Sequence, residues 1–411
     1  MAVADQGRLL IHAPVPLFRG PDGALLLDDQ ACRGLALWAQ NFAHVTATMP
    51  LATGAPPPNW VPLDRIGPDR DRVTLVPLPA AWRPDQFLRA LSPGRAVIGE
   101  QIGRADFLSF AIGGLFGDWG AVAGLLAHRM GRPFAVWTDR VESQVVARAA
   151  RDPGPWRARL RARLTHRPMA ALERAVIRRA ALGLFHGRET FDHYARYSSN
   201  PHVVHDVAVG VHARISTAAL TAKQADTHGP LRIVYAGRAE AMKGPLDWIA
   251  ALQGLAALGV AFRATWLGDG SLLPAMRARV DAAGLAGQIA LPGFVNDRAA
   301  LMAALTGAQV FAFCHKTPES PRCLIEALMA GTPIIGYGGA FAADLIAAHG
   351  GGDLVARDDV AGLTAALARA ATDRTRLAAM IGRAAADGAG FDDVSVFAHR
   401  SALIRAHLPS A

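Results

Sequence analysis

Short apolar runs alternate with helix-period stretches along almost the whole chain, and this alternation constrains the fold more than any other feature. It favours parallel sheets with crossover helices. In the first half the strand candidates are 8–13, 44–49, 73–78, 107–112, 134–139, 182–187 and 202–209. Helical stretches lie between several of them, among them 29–42 and 119–130. The rhythm is lost over 214–229, which turns polar near its end and reads as a linker. A second set of strands follows at 231–237, 262–270, 289–294, 308–314, 332–337 and 352–356, with helices predicted at 246–258, 271–283, 297–306, 320–330 and 360–371. The expectation is two α/β domains, 1–213 and 230–390, each a doubly wound sheet. A closing segment, 391–411, is expected to be helical and to pack back toward the first domain.

At 411 residues the chain is long enough for two cores. No apolar stretch of 18 residues lacks a charge, so no spanning helix is expected. The N-terminal stretch lacks the basic start and apolar centre of an export signal. Three cysteines, Cys32, Cys314 and Cys323, form no CxxC, which suits a reducing cytoplasm and argues against a disulfide framework or zinc site.

The net charge of +9 is unevenly spread. Ten arginines fall within 148–179, against the acids Asp152 and Glu173. Such a stretch suits a solvated helix face, an anionic membrane surface or a polyanionic substrate. With Trp156 as its one tryptophan it lacks spaced aromatics for base stacking, so no nucleic-acid partner is expected.

Of 43 basic side chains only Lys223, Lys243 and Lys316 are lysine. Lys243 stands in "GRAEAMKG", just after the first strand of the second half, five residues beyond Arg238. Gly237 allows close backbone approach, and the two cations are placed to converge on one anion, a phosphate being the natural fit. After strand 308–314 comes "HKTPESPRCLIEALMAGTP", where Ser320 and Pro321 read as N-cap and first residue of a helix. Free backbone N–H groups at such a start suit a phosphate as well. Glu319 precedes the helix, and Glu326 lies two turns in between Leu324-Ile325 and Ala327-Leu328, where an unpaired carboxylate is costly. "LGDG" (267–270) and "PGFVND" (292–297) close two further strands with glycine loops. Four successive strands thus end in loops suited to a small polar ligand.

These motifs, in order, resemble the donor-binding half of GT-B glycosyltransferases of the retaining family 4 group. The resemblance covers residues 231–370; the first half is similar in architecture alone. It implies two Rossmann-like domains facing across a cleft, the second binding a nucleotide sugar. It implies that Arg238 and Lys243 bind the donor diphosphate and that Glu326 holds the ribose hydroxyls. Backbone groups near Phe294 and Val295 would hold the base. Gly237, Gly268, Ser320 and Arg322 complete the expected donor site. The family's acid pair has seven intervening residues; here Glu319 and Glu326 have six, and Pro318 occupies the expected first position. Glu319 is the catalytic candidate of the pair: either it serves through a shifted loop, or the donor-sugar contact differs. In the first domain Asp139, at the end of strand 134–139, is the candidate beside the reacting carbon, with Thr138 second. His12, His128 and His186 are expected to be structural or surface groups.

The implied activity is transfer of a sugar, from a UDP-sugar by default or a GDP-sugar, to a glycan or lipid-linked acceptor. Configuration would be retained, and no metal or other cofactor is expected, since cations at the diphosphate would serve. The implied place is the cytoplasm, peripheral to the membrane if 148–179 meets lipid. Two other readings stay open: a non-catalytic GT-B protein that binds nucleotide or glycan, and a related sugar-nucleotide epimerase.

Overall fold

The computed structural model describes residues 7–151, 155–207, 209–226 and 228–409. The chain divides into two compact units, one running to Asp206 and resuming at Val394, the other Val207–Asp393.

In the first unit the strands are β1 (Arg8–His12), β2 (Phe18–Arg19), β3 (Leu25–Asp28), β4 (His44–Leu51), β5 (Trp60–Pro62), β6 (Val73–Pro79), β7 (Phe107–Ala111), β8 (Ala135–Thr138), β9 (Leu182–His186) and β10 (Pro201–Val204). Seven of them form one parallel sheet in the order β10-β9-β8-β7-β1-β4-β6. Every residue of β7 and of β9 is buried, as expected where helices cover both faces of a parallel sheet. The strand order reverses between β1 and β7. There Asp118 caps the helix Trp119–Arg129 through Ala121 N (2.8 Å) and accepts from Gly113 N (3.0 Å) and Gly114 N (2.9 Å), fixing the loop after β7. A small antiparallel sheet, β2-β3-β5, was not among the sequence expectations. The closing helix Asp393–His407 belongs mainly to this unit: Phe397 packs edge-on against Trp38 at 5.1 Å, and Ile404 is fully buried in the same core.

In the second unit β11 (Leu231–Ala236), β12 (Phe262–Leu267), β13 (Ile289–Gly293), β14 (Val310–Phe313), β15 (Ile334–Tyr337) and β16 (Gly352–Val355) form a parallel sheet, ordered β13-β12-β11-β14-β15-β16. Counted from β11 this is 3-2-1-4-5-6, the doubly wound dinucleotide-fold order, and its switch point lies between β11 and β14. All the strands and helices expected for this half are present within a few residues.

The segment 214–229, expected as a linker, instead contributes the helix Thr217–Ala225 to the second unit. Ser216 caps it through Ala219 N (3.2 Å), and its Lys223 is buried, donating to Ala330 O (3.1 Å) and Thr332 Oγ1 (2.6 Å). Gln224 Nε2 reaches Ala378 O (3.1 Å) on the helix Arg374–Asp387, which closes the second unit. Among the described residues no helix is long and apolar enough to cross a membrane.

Candidate functional site

The carboxyl ends of β11, β12 and β13 are laced together by backbone. Gly237 N donates to Leu267 O, Gly268 N to Gly293 O and Ala239 N to Asp269 O, each at 2.9 Å. A Cβ on Gly268 would enter the van der Waals shell of Gly237 O, so the two loops pack this closely because residue 268 is glycine. Glu240 fastens the far side, accepting from Ser271 N (2.9 Å) and Ser271 Oγ (2.7 Å).

These loops wall a cavity of about 550 Å³. Its lining includes Gly237, Arg238, Gly268, Phe294, Val295 and Glu326. Arg238 is exposed, and its guanidinium makes no hydrogen bond or ion pair among the described residues, while its carbonyl accepts from Glu240 N (2.9 Å). Phe294 is 73% exposed, an aromatic ring left open at the rim. Glu326 is buried on the helix Arg322–Met329, and Arg298 supplies the polar partner its apolar neighbours require, with Nη2 2.7 Å from Oε1. Its Oε2 accepts no hydrogen bond among the described residues. The arrangement offers a cation, a carboxylate and an aromatic face around one concave space, the usual make-up of a small-ligand site.

Lys243 lies at the switch point. It closes a short 3₁₀ turn, Ala241–Lys243, and Gly244 follows in the left-handed region (φ 62°). A Cβ on Gly244 would strike Cys314 O, and Lys316 N donates to Met242 O (2.9 Å), so the loops after β11 and β14 run in contact. This brings Lys243 Nζ to Glu319 Oε1 at 2.7 Å, with the side chains 11% and 21% exposed. The two residues read from the sequence as separate catalytic groups are one ion pair here, and neither lines the cavity described above. His315 lies beside them, its Nδ1 3.7 Å from Glu319 Oε1 and its Nε2 2.8 Å from the Tyr235 hydroxyl. Burial, reinforced by the Lys243 charge, holds His315 well below the ordinary histidine pKa, so it sits there neutral. Lys316, not singled out from the sequence, bonds Asp247 (2.7 Å) and Asp358 (3.0 Å), and the Tyr337 hydroxyl donates to the same Asp247 oxygen (2.8 Å). These contacts tie down the loop that carries Glu319.

The helix expected to begin at Ser320–Pro321 begins one residue later. Pro321 is the N-cap, with no side-chain cap, and Arg322 is the first helical residue. Proline carries no side-chain acceptor, so the residue at the cap position cannot bond the first N–H groups of the helix as a serine there would.

Asp139 is exposed at the carboxyl end of β8 in the first unit, so it belongs to a different sheet from the other candidates. The Thr138 hydroxyl beside it is buried with no hydrogen-bond partner among the described residues. Next along, Arg140 Nε bonds Glu142 Oε1 at 2.6 Å. His12 is buried at the end of β1 against Thr48 Oγ1 (3.2 Å), and desolvation lowers its pKa to about 4. His186 is buried at the end of β9, its Nδ1 accepting from Asp206 N (3.0 Å).

Among the described residues no three His, Cys, Asp or Glu side chains cluster as a metal site.

Comparison with known proteins bears on the fold and the family match. Residues 217–387 match the family model for glycosyl transferases group 1. A 2-deoxystreptamine N-acetyl-D-glucosaminyltransferase of Streptomyces fradiae is 31% identical over 224 residues, which are 52% of this chain and 52% of the relative. The match thus spans about half the length of that curated relative. Among solved structures, Anabaena HepE in complex with UDP aligns with TM-score 0.64 at 15% identity, over 96% of this chain and 98% of that one. WaaG, a glycosyltransferase involved in lipopolysaccharide biosynthesis, aligns with TM-score 0.60 at 14% identity, over 97% and 99%. At such identities the likeness is one of fold. The chain has the GT-B fold, and the match to the glycosyl transferases group 1 family lies in its second half, at residues 217–387.

Proposed function

We propose that this chain transfers a hexose-type sugar from a nucleoside-diphosphate sugar to a glycan or lipid-linked acceptor. The observation that carries the reading is the cavity at the carboxyl edge of the second sheet, where Arg238, Phe294 and Glu326 surround one space. Phe294 and the Val295 backbone receive the base, Glu326 accepts from the ribose hydroxyls through its uncommitted oxygen, and Arg238 meets the diphosphate. UDP is the preferred nucleotide: HepE is described with UDP and with UDP-glucose, and the Streptomyces relative is named as an N-acetylglucosaminyltransferase.

Loss of the sugar leaves negative charge on the diphosphate and positive character on the sugar. Cations fixed at the diphosphate therefore stabilise the transition state more than the ground state. Arg238, Lys243 and the N–H groups at the start of the helix Arg322–Met329, with Ser320 just before it, fill this role without a metal or other cofactor. Glu319 holds Lys243 in place and faces the developing sugar cation. Asp139 is the first unit's candidate beside the reacting carbon. The outcome is retention, in keeping with the resemblance to the retaining group, and the setting is cytoplasmic.

Thermal stabilisation by UDP, GDP, ADP and inorganic phosphate tests the reading. A ligand at 100 times its Kd adds about 2.7 kcal/mol to stability, enough to move a melting curve. Stabilisation by one nucleoside diphosphate, abolished in Arg238→Ala, is the expected result. No stabilisation by any of the four would refute the donor site.

A further inference from the structure

The helix Trp156–Ile177 has two apolar rows, and the fold uses one. Ala162, Met169 and Val176, at i, i+7 and i+14, are buried on its inner side. At 3.6 residues per turn, Trp156, Leu160 and Leu164 form a second row on the side facing away from these. That row is open to solvent: Trp156 is 63%, Leu160 47% and Leu164 68% exposed.

Charge surrounds the open row. Arg157, Arg159, Arg161, Arg163 and Arg167 are all exposed, and none forms an ion pair among the described residues. The helix's one acid, Glu173, is buried and turned inward, accepting from Ser143 N (2.9 Å) and Ser143 Oγ (2.6 Å). It therefore offsets none of the outer charge. Asp152, the other acid of the basic segment, lies outside the described residues.

We propose that this outward face docks on an anionic bilayer surface, with Trp156, Leu160 and Leu164 entering the boundary between headgroups and acyl chains. An apolar row flanked by arginine is the pattern of an interfacial helix. Arginine stems extend along apolar surface while their guanidinium groups reach lipid phosphates. A nucleic-acid surface would reward the arginines and leave the two leucines unused, since stacking needs aromatic faces. The inference stands apart from the sugar-transfer reading and does not depend on it.

The test uses the full chain and co-sedimentation with vesicles of phosphatidylcholine alone or of phosphatidylcholine and phosphatidylglycerol in equal parts. Two variants accompany it: Trp156→Gln/Leu160→Gln/Leu164→Gln, and Arg157→Gln/Arg159→Gln/Arg161→Gln/Arg163→Gln. Because all seven side chains are exposed, both variants should melt like the parent, which separates loss of docking from loss of fold. The parent is expected to bind the mixed vesicles and to bind phosphatidylcholine at least tenfold more weakly. The arginine variant should lose roughly 100-fold or more in partitioning, at about a tenfold loss for each one to two arginines. The apolar variant should lose at least tenfold on the mixed vesicles with its charge unchanged. Absent binding, or equal binding to both vesicles, would overturn the proposal. So would undiminished binding by the apolar variant, the result expected if the face serves RNA or an acidic protein through charge alone.

Discussion

Replacing Lys243 by methionine while leaving Glu319 in place puts the proposed diphosphate role under direct strain. Methionine keeps most of the stem and removes the ammonium. In the structure the Lys243 side chain is 11% exposed, and its ammonium is bonded to Glu319 Oε1 at 2.7 Å. A hydrogen bond to a charged group is worth about 1.5–3 kcal/mol. If Lys243 makes such a bond to the diphosphate, its loss weakens UDP binding by roughly 10- to 150-fold. Uridine, which has no phosphate, should bind both proteins equally. Glu319→Gln gives the opposite sign: it removes a carboxylate from beside the diphosphate and frees Lys243, so UDP should bind more tightly. Calorimetric titration of UDP and uridine into the parent, Lys243→Met and Glu319→Gln reads all three effects. Circular dichroism and melting curves show whether each variant is folded. A folded Lys243→Met that binds UDP as the parent does would refute the reasoning, and the ion pair would then be a structural bridge between two loops.

Three further outcomes follow from the same geometry. Glu326→Ala should weaken binding of UDP and of uridine by the same factor, about 10-fold for a lost charged hydrogen bond, and leave inorganic pyrophosphate unaffected; an effect on pyrophosphate would move Glu326 away from the ribose. Gly268→Ala places a Cβ against Gly237 O and should destabilise the second unit by about 1–3 kcal/mol in denaturant titration while abolishing UDP binding, and an unchanged midpoint would contradict the close packing. Burial lowers the Lys223 pKa to about 7, from an unfolded value near 10.5. Between those values the unfolded chain binds the extra proton, so this lysine makes stability rise with pH, by up to about 1.4 kcal/mol per unit. The stability difference between the parent and Lys223→Met should therefore change by about that much from pH 8 to pH 9; parallel profiles would show that Lys223 stays charged in the fold.

The large sheets were legible because parallel strands covered on both faces appear as near-continuous apolar runs, as "FLSFA" and "LGLFH" do with one polar residue each. The β2-β3-β5 sheet was not, since strands of two to four residues carry no usable period. The helix Thr217–Ala225 was hidden by its alanine-rich, weakly patterned sequence; its signals were the cap at Ser216 and a lysine in an arginine chain. At the candidate site, glycines after successive strands marked the cavity, because loops that meet backbone to backbone exclude side chains. Glu326 advertised a need for a partner by its apolar neighbours. Nothing local named Arg298, which lies 28 residues away and meets it only through the fold. Pairing of Lys243 with Glu319 was equally hidden, since it depends on contact between the loops after β11 and β14.

The rarity of lysine now has a structural counterpart. Each of the three is bonded to named oxygens: Lys223 to Ala330 O and Thr332 Oγ1, Lys243 to Glu319, Lys316 to Asp247 and Asp358. An ammonium is a compact point with three donors, whereas a guanidinium is a broad planar fork. At Lys243 the room is small: the side chain is nearly covered, and Gly244 lies against Cys314 with no space for a Cβ. Lys243→Arg keeps the charge and enlarges the head. If charge alone mattered at this position, Arg would serve, as it does at nearly every other basic site in the chain. On the proposed reading shape matters too: the broader fork would have to hold Glu319 and meet the diphosphate from the same covered position, which calls for movement of the loop after β14. Lys243→Arg should therefore lose at least 10-fold in UDP affinity, with uridine binding unchanged, since overpacking a covered site costs about 1–3 kcal/mol. Parent-like affinity for UDP in that variant would show that the site reads charge and not shape, and the scarcity of lysine would lose its meaning there.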